Sequence, residues 1–272
     1  MSETHVNGHH NGGKKAFHNF LKETVGVAAL ATVPADPEKK NVPKQVAALL
    51  EPLNQPASLS IPESTYKCIT QDNLPVAPAP GSEPDPLGLW VGWGGKIPRW
   101  KKGQTVNWAV LSQGFPSFNH AIFSAYKFNE AAIQWNGLNV GVQFKWVNKL
   151  EDACFVLAYG GDLGSVLAKA FFPNPADLST VYVYQRAFDD NYAPYQTNIF
   201  VHELGHVLGL RHEFAESEGG AVQFGPANPL SVMSYTFPPN IRDSDETWTK
   251  KFYDYTGPAI GGLLIQDWIP DN

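Results

Sequence analysis

The alternation of apolar and polar positions predicts a folded α/β domain in the last two thirds of the chain. In residues 104–111, Val106, Trp108 and Val110 alternate with polar neighbours. This period of two is typical of a strand with one buried face. Further strands are predicted over residues 142–147, 154–159 and 180–184.

A different spacing predicts helices between and after these strands. From residue 118 to residue 136, apolar side chains recur every three or four positions, so they line one face of a helix that Ser117 caps. We interpret this stripe as hydrophobic core rather than as a cofactor-binding surface. Other helices are predicted over residues 45–53, after a cap at Thr197, and from a cap at Ser244 through Thr256.

The first 89 residues differ from the rest in composition. Proline-containing polar stretches at residues 34–43 and 75–86 are typical of extended linkers. The sequence therefore predicts two parts. Residues 1–89 form a pro-segment or a partly disordered N-terminal extension, and residues 90–272 form the folded domain.

Residues 25–33 are small and apolar, which faintly resembles a secretory signal peptide. The run starts late, and Lys22 and Glu23 stand directly before this part of the chain. We therefore expect no such signal, and favour a cytoplasmic protein, or one secreted without a signal peptide, over conventional secretion. The alternative for residues 16–33 is a short amphipathic helix.

Composition and charge limit the classes of partner. A hydrophobic content of 43% is enough for a substantial core. The net charge of −6 provides no basic surface for nucleic acid and no polybasic patch for a membrane. No apolar run reaches the length of a transmembrane helix. We expect a monomer that binds neither nucleic acid nor membrane.

The clearest chemical signal is the stretch HELGHVLGLRHE, which begins at His202. His202 and His206 are four residues apart, so on a helix both imidazoles lie on one face, where Zn²⁺ is the usual metal. Gly209 favours the end of the helix, after which the chain can turn back and bring His212 as a third ligand. Three protein ligands leave one position for water, and Glu203 stands where a carboxylate can take a proton from that water.

This motif resembles the signature of the metzincin zinc metalloproteases, in particular their astacin-like and serralysin-like branches. The string SVMSY at residues 231–235 resembles the methionine-containing turn of that clan, and Met233 is the only methionine besides Met1. The resemblance implies a zincin fold of α/β (α+β) class: a twisted mixed sheet with an active-site helix and a small C-terminal lobe. It also implies that Tyr235 binds the metal at rest and then hydrogen-bonds the tetrahedral intermediate.

The resemblance extends to the substrate and the number of metal ions. Residues 165–173 resemble the edge strand of matrix metalloproteinases, along which an extended protein or peptide substrate lies antiparallel. Lys169 stands where that family has a histidine for a structural zinc ion, so we expect one catalytic Zn²⁺. Its predicted ligands are His202, His206, His212 and Tyr235.

Together these features predict a zinc-dependent metalloendopeptidase. It would hydrolyse peptide bonds by means of a zinc-bound water, with Glu203 as general base and Tyr235 as a second catalytic residue. The alternative is a catalytically silent zinc-binding interaction module of the same fold, whose N-terminal extension fills the cleft. A third possibility is hydrolysis of a non-protein amide in the same cleft.

The two cysteines, Cys68 and Cys154, leave several alternatives open. We favour a disulfide between them or separate thiols, with Cys154 as a small buried residue of a strand. The other alternative is a Cys68 thiolate on the open zinc position, as the pro-segment of matrix metalloproteinases provides. The residues that flank Cys68 do not match the pro-segment motif of that family.

Overall fold

The fold is mixed, with both helices and sheets, as the sequence pattern predicts. The computed structural model describes residues 31–50, 67, 68, 70, 89–215 and 220–272. Within these ranges the chain forms three β-sheets and four α-helices. The amphipathic helix considered as the alternative for residues 16–33 lies almost wholly outside them. None of the described helices is long and apolar enough to cross a bilayer.

The secondary-structure elements have the following bounds. The helices are α1 (Lys44–Leu50), α2 (Phe118–Leu138), α3 (Gln196–Val207) and α4 (Asp243–Asp254). The strands are β1 (Lys67–Cys68), β2 (Trp90–Val91), β3 (Lys96–Trp100), β4 (Thr105–Val110), β5 (Gln143–Trp146), β6 (Phe155–Tyr159), β7 (Val166–Lys169), β8 (Ser179–Val183), β9 (Leu210–Arg211), β10 (Val222–Gln223), β11 (Ala259–Ile260) and β12 (Leu263–Trp268).

The main sheet has six strands in the order β1-β7-β8-β6-β4-β5. All its pairs are parallel except β7 with β8. The five predicted strands, of which the one at residues 165–173 came from the resemblance to matrix metalloproteinases, correspond to β4 through β8, with small differences at their ends. The prediction of a strand within residues 165–173 is therefore confirmed, but β7 is not the outermost strand. The two-residue strand β1, from the N-terminal extension, pairs with it in parallel.

Helices α2 and α3 pack against each other and against this sheet. One buried cluster joins Trp108 on the sheet, Trp135 on α2 and Phe200 on α3. The indole nitrogen of Trp135 donates a 2.9 Å hydrogen bond to the carbonyl oxygen of Val201, which ties the two helices together. The hydroxyl of Ser117 accepts from the main-chain nitrogen of His120, so the predicted cap of α2 is confirmed.

The predicted caps of the two later helices are wrong. Helix α3 follows directly on a 3₁₀ turn at Ala193–Tyr195, and the hydroxyl of Thr197 instead donates to Glu130 at 2.6 Å. Helix α4 begins after Arg242, whose main-chain nitrogen donates to the carboxylate of Asp245. The hydroxyl of Ser244 accepts from Asn228. Neither hydroxyl caps its helix, because each residue lies inside the first turn rather than before it, and each hydroxyl is bonded to a partner that is distant in sequence.

Two smaller sheets connect the start of the folded domain to its C-terminal end. Strand β2 lies between β9 and β10, and β12 lies between β3 and β11. The β3–β12 pairing is parallel and runs from Lys96 opposite Leu264 to Trp100 opposite Trp268. The sequence analysis missed β12, because its side chains are partly or fully exposed on both faces and show no clear alternation.

Residues 31–50, which belong to the predicted N-terminal extension, pack on the domain. Thr32 forms a β-bridge with Leu111, and Tyr126 on α2 donates a 2.7 Å hydrogen bond to Asp36. Val33 and Val46 are buried in the main core cluster. This part of the extension therefore contributes apolar surface to the folded structure.

We predict that truncation of Val46 destabilises the whole domain. Because this side chain is fully buried in the core cluster, Val46→Ala should lower the free energy of unfolding by about 2 kcal/mol. Leu49 on the same helix is 59% exposed, so Leu49→Ala should change it by less than about 0.5 kcal/mol. Urea unfolding of the full chain measures both. Equal effects would contradict the assigned packing of α1.

Candidate metal centre

The end of α3 creates the turn that returns the chain to the two helical histidines. The helix ends at Val207, and Gly209 adopts a φ of +94°. A Cβ atom at this position would lie 2.6 Å from the carbonyl oxygen of Pro98, so only glycine fits. The turn brings His212 next to His202 and His206, as the spacing predicts.

Side chains from distant elements complete the hydrogen bonding of the helix end. The indole nitrogen of Trp100 donates to the carbonyl oxygen of Val207 at 2.8 Å, and the hydroxyl of Tyr253 donates to that of Leu208 at 2.9 Å. These are carbonyls that a helix C-terminus leaves without intrahelical partners. The position of the turn is thus fixed by β3 and α4.

Carbonyl oxygens orient two of the three imidazoles. Nδ1 of His202 lies 2.7 Å from the carbonyl oxygen of Val232, and Nδ1 of His206 lies 2.8 Å from that of Leu210. A carbonyl can only accept, so each Nδ1 carries the proton and each Nε2 presents its lone pair. The Nε2 atoms of His206 and His212 are 3.2 Å apart. Such outer hydrogen bonds are the usual supports of metal-binding histidines.

Cys68 supplies a fourth ligand atom to this cluster. Its Sγ lies 3.5 Å from Nε2 of His206, and the ligand atoms of Cys68, His202, His206 and His212 all lie within 4.8 Å of one another. Tetrahedral zinc places two nitrogens about 3.3 Å apart, and a nitrogen and a sulfur about 3.6 Å apart. The two measured distances agree with this geometry. This buried group can hold a metal ion, and its nitrogen and sulfur donors suit Zn²⁺.

Burial keeps the three imidazoles neutral. It lowers the pKa of His202 to about 4. The pKa values of His206 and His212 are well below their usual range, because of burial first and of the neighbouring histidines second. Burial and the charge of Glu203 raise the pKa of the Cys68 thiol well above its usual range. A divalent cation would favour the thiolate, since metal binding displaces the proton of a ligating thiol.

Glu203 lies beside the cluster and is fully buried. Its Oε2 accepts a 2.9 Å hydrogen bond from the hydroxyl of Thr70. Burial raises the pKa of Glu203 to about 7, while hydrogen bonds with Thr70 and Cys68 act in the opposite direction. A carboxylate with a pKa close to neutral can both take up and release a proton at physiological pH.

Thr70 is a site residue that the sequence analysis missed. Besides its bond to Glu203, its hydroxyl accepts from the main-chain nitrogen of Ala170 at 2.8 Å and from the thiol of Cys68 at 3.2 Å. The segment from β1 to Thr70 therefore contacts the metal ligands, the carboxylate and the chain that continues from β7. No sequence motif identifies Thr70, because its role depends on where the fold places this part of the chain.

The turn at residues 231–235 lies directly under the histidine helix. Met233 is fully buried, and a Cβ atom at Gly205 would lie 2.4 Å from its Sδ. The glycine inside the H-E-L-G-H string thus makes room for the methionine. The carboxylate of Asp245 on α4 accepts from the hydroxyl of Ser231 at 2.6 Å and from the main-chain nitrogen of Val232 at 2.9 Å. Asp245 was missed as well, and it holds the carbonyl that orients His202.

Tyr235 lies at the rim of the cluster. Its ring centroid is 5.2 Å from that of His212, and its hydroxyl donates to the main-chain oxygen of Cys68 at 3.4 Å. Tyr235, the predicted fourth protein ligand, therefore contacts the N-terminal segment in this structure. The sulfur of Cys68, not the hydroxyl of Tyr235, is grouped with the histidine nitrogens. Whether Tyr235 also binds the metal stays a prediction.

Of the two favoured alternatives for the cysteines, the disulfide is wrong and separate thiols are confirmed, because no disulfide joins Cys68 to Cys154. Cys154 is buried directly before β6, as expected for a small core residue. Cys68 lies at the histidine cluster, which matches the alternative that the sequence analysis did not favour. Its flanking residues show no known motif, so only the pairing of β1 with β7 reveals the contact.

Comparisons with known proteins do not assign the chain. No protein-family model matches it, and no curated protein matches it.

We predict that Cys68 is a metal ligand in the full chain. The cobalt-loaded protein should show the near-ultraviolet charge-transfer absorption of a thiolate–cobalt bond, because Sγ lies at ligand distance from the three imidazoles. Cys68→Ala should abolish this absorption, and the matched control Cys154→Ala should retain it. A cobalt spectrum that is the same in all three proteins would exclude Cys68 from the metal.

Proposed function

We propose that this chain is a zinc-dependent metalloendopeptidase of metzincin type, held inactive by its own residues Cys68 and Thr70. The observation that carries the proposal is the convergence of three neutral imidazoles and one carboxylate in a buried site. The only further donor in that metal-binding group, within the described residues, comes from the N-terminal segment. Displacement of that segment would leave three histidine ligands and one open position, as in catalytic zinc sites.

The chemistry follows from the position of Glu203. A bound zinc ion would lower the pKa of a water molecule and polarise the carbonyl of the scissile peptide. Glu203 accepts the proton of the attacking water and then delivers it to the leaving amine. Its full burial next to the histidine cluster raises its pKa, which favours proton uptake. His202, His206 and His212 hold the metal, and their neutral state at physiological pH favours this role.

Tyr235 is the proposed donor to the developing oxyanion. Its ring lies against His212, and its hydroxyl bonds to the main-chain oxygen of Cys68. When the N-terminal segment leaves, this hydroxyl can donate to substrate instead. One such donor contributes on the order of 3 kcal/mol to transition-state stabilisation.

The inactive state rests on three contacts of one short segment. Cys68 takes the fourth ligand position, Thr70 bonds to the carboxylate of Glu203, and β1 pairs with the edge of β7. The segment runs parallel to β7, whereas the proposed substrate pairs antiparallel with the same strand. Its peptide bonds therefore have the opposite direction from those of a substrate, which favours inhibition over self-cleavage.

A second candidate function is a zinc-binding interaction module without turnover. It is favoured by the four-ligand set itself, since three histidines and one cysteine would close the coordination sphere of zinc. Closed four-ligand sites are typical of structural zinc. Removal of Cys68 from the metal should produce cleavage if the chain is a metalloendopeptidase, and no cleavage if it is an interaction module.

We predict that removal of the thiol activates the chain. Full-length, zinc-loaded Cys68→Ala should cleave an unfolded protein at least about tenfold faster than wild type, because an intramolecular ligand acts at millimolar effective concentration. The matched control Cys154→Ala should cleave at the wild-type rate. Retained zinc with no cleavage in Cys68→Ala, and none after Thr70→Ala is added, would favour the interaction module.

We predict that Glu203 is required for cleavage but not for metal binding. In the Cys68→Ala background, Glu203→Gln should keep one zinc ion and lower the cleavage rate about 10²- to 10⁴-fold, since it removes the proton acceptor. Glu151, a surface glutamate in the 3₁₀ turn before β6, provides the control, and Glu151→Gln should leave the rate unchanged. Zinc content and cleavage are measured on the same samples. A Glu203→Gln rate close to that of its parent would exclude the assigned role.

A further inference from the structure

An open groove of about 440 Å³ adjoins the metal centre. Its walls come from three separate parts of the chain: Trp93 after β2, Phe172 after β7, and Trp268 at the end of β12. Pro98, Pro173 and Pro175 also contribute. Ligand-binding clefts commonly have volumes of this order and a mainly apolar lining.

The groove is continuous with the proposed catalytic site. Thr70 lines its inner end, and the same hydroxyl bonds to Glu203. The ring of Phe172 lies 5.5 Å from that of His206, edge to face. A peptide bound at Glu203 could therefore place one of its own neighbouring side chains in the groove.

A buried arginine from the metal-binding loop supports the aromatic wall. The rings of Trp93 and Phe172 stack at 5.0 Å, and the guanidinium of Arg211 lies 5.1 Å from the first and 5.9 Å from the second. Arg211 also donates to the carbonyl oxygen of Gly92 at 2.6 Å. It is the residue directly before His212 in the chain. The wall is thereby fixed relative to the metal ligands, which indicates a preorganised surface rather than an incidental depression.

We propose that this groove is a substrate subsite that takes a large apolar or aromatic side chain. The inference rests on the proposed function and adds the class of substrate to it. The chain that continues β7 passes from Ala170 at the metal centre to Pro175 along the groove. A substrate antiparallel to β7 therefore places there a residue on the N-terminal side of the scissile bond. The half-buried rings of Trp93 and Trp268 offer apolar surface to that side chain.

The test uses metal-anchored peptides, so it does not require turnover. The protein is the zinc-loaded full chain with Cys68→Ala and Thr70→Ala, which removes two of the three contacts of the N-terminal segment and leaves only the two-residue pairing of β1 with β7 for the probe to displace. The probes are acetyl-dipeptide hydroxamates, whose peptide extends to the N-terminal side of the metal-binding group. Ala-Ala is compared with Phe-Ala and Ala-Phe by calorimetry.

We predict that one of the two phenylalanine compounds binds about tenfold tighter than Ala-Ala, because it buries an aromatic ring in the groove. Trp268→Ala should remove this advantage and leave the affinity for Ala-Ala unchanged. Gln266→Trp, which fills the groove from the same strand, should have the same effect. Leu264→Ala is the matched control, since this side chain is on β12 and 62% exposed but does not line the groove.

Two results would overturn the subsite: equal affinities for the three compounds, or a phenylalanine advantage that persists in both Trp268→Ala and Gln266→Trp. Failure of the proposed function gives a different result. In that case the protein binds zinc and cleaves nothing, while the phenylalanine advantage and its loss in Trp268→Ala remain. The groove would then be a peptide-binding site of the interaction module.

Discussion

The site depends on keeping three imidazoles neutral, buried and convergent. Burial disfavours the charged form of all three and lowers their pKa values, and for His206 and His212 the neighbouring histidines lower the pKa further. The helix supplies only two, since a third histidine on the same face would lie too far along the axis to share one tetrahedral ion. Gly209 makes the third ligand possible, because its positive φ turns the chain back and brings His212 to the two helical histidines within three residues. The surrounding structure holds this turn in place. Side chains of β3 and of α4 donate hydrogen bonds to its carbonyl oxygens, and Met233 packs against Gly205.

The same buried site explains why a short segment can occupy it so completely. The thiol of Cys68 joins the metal-binding group, and the hydroxyl of Thr70 bonds to the carboxylate of Glu203. The two-residue strand β1 pairs with the edge of β7. Each of these groups is costly to leave without a partner once water is excluded. Cys68 and Thr70 are two residues apart in the chain and contact the histidine cluster and Glu203 respectively. The proposed inhibition thus uses the groups that the proposed catalysis needs, and Thr70 also lines the proposed subsite.

The structure also links the beginning and the end of the domain in a way that bears on function. Strand β12 pairs with β3 and carries Trp268 to the groove, while Trp100 at the end of β3 bonds to the end of the histidine helix. Residues 31–50 pack on the opposite part of the core through α1 and α2. The N-terminal extension is therefore not uniform in role, since one part of it stabilises the domain and another part covers the metal centre.

The sequence by itself determined the elements whose signals are local. The pattern of apolar and polar residues predicted β4, β5, β6 and β8, and the three- and four-residue spacing predicted α2. The H-E-x-x-H string with Gly209 predicted the convergence of His202, His206 and His212. Only the tertiary structure decided the rest. The hydrogen bonds of Thr197 and Ser244, the strand β12, the roles of Thr70, Asp245 and Arg211, and the place of Cys68 all depend on partners distant in the chain. Periodicity and spacing show on which face of a helix or strand a residue lies. The partner that contacts that face is determined by the packing of the whole chain.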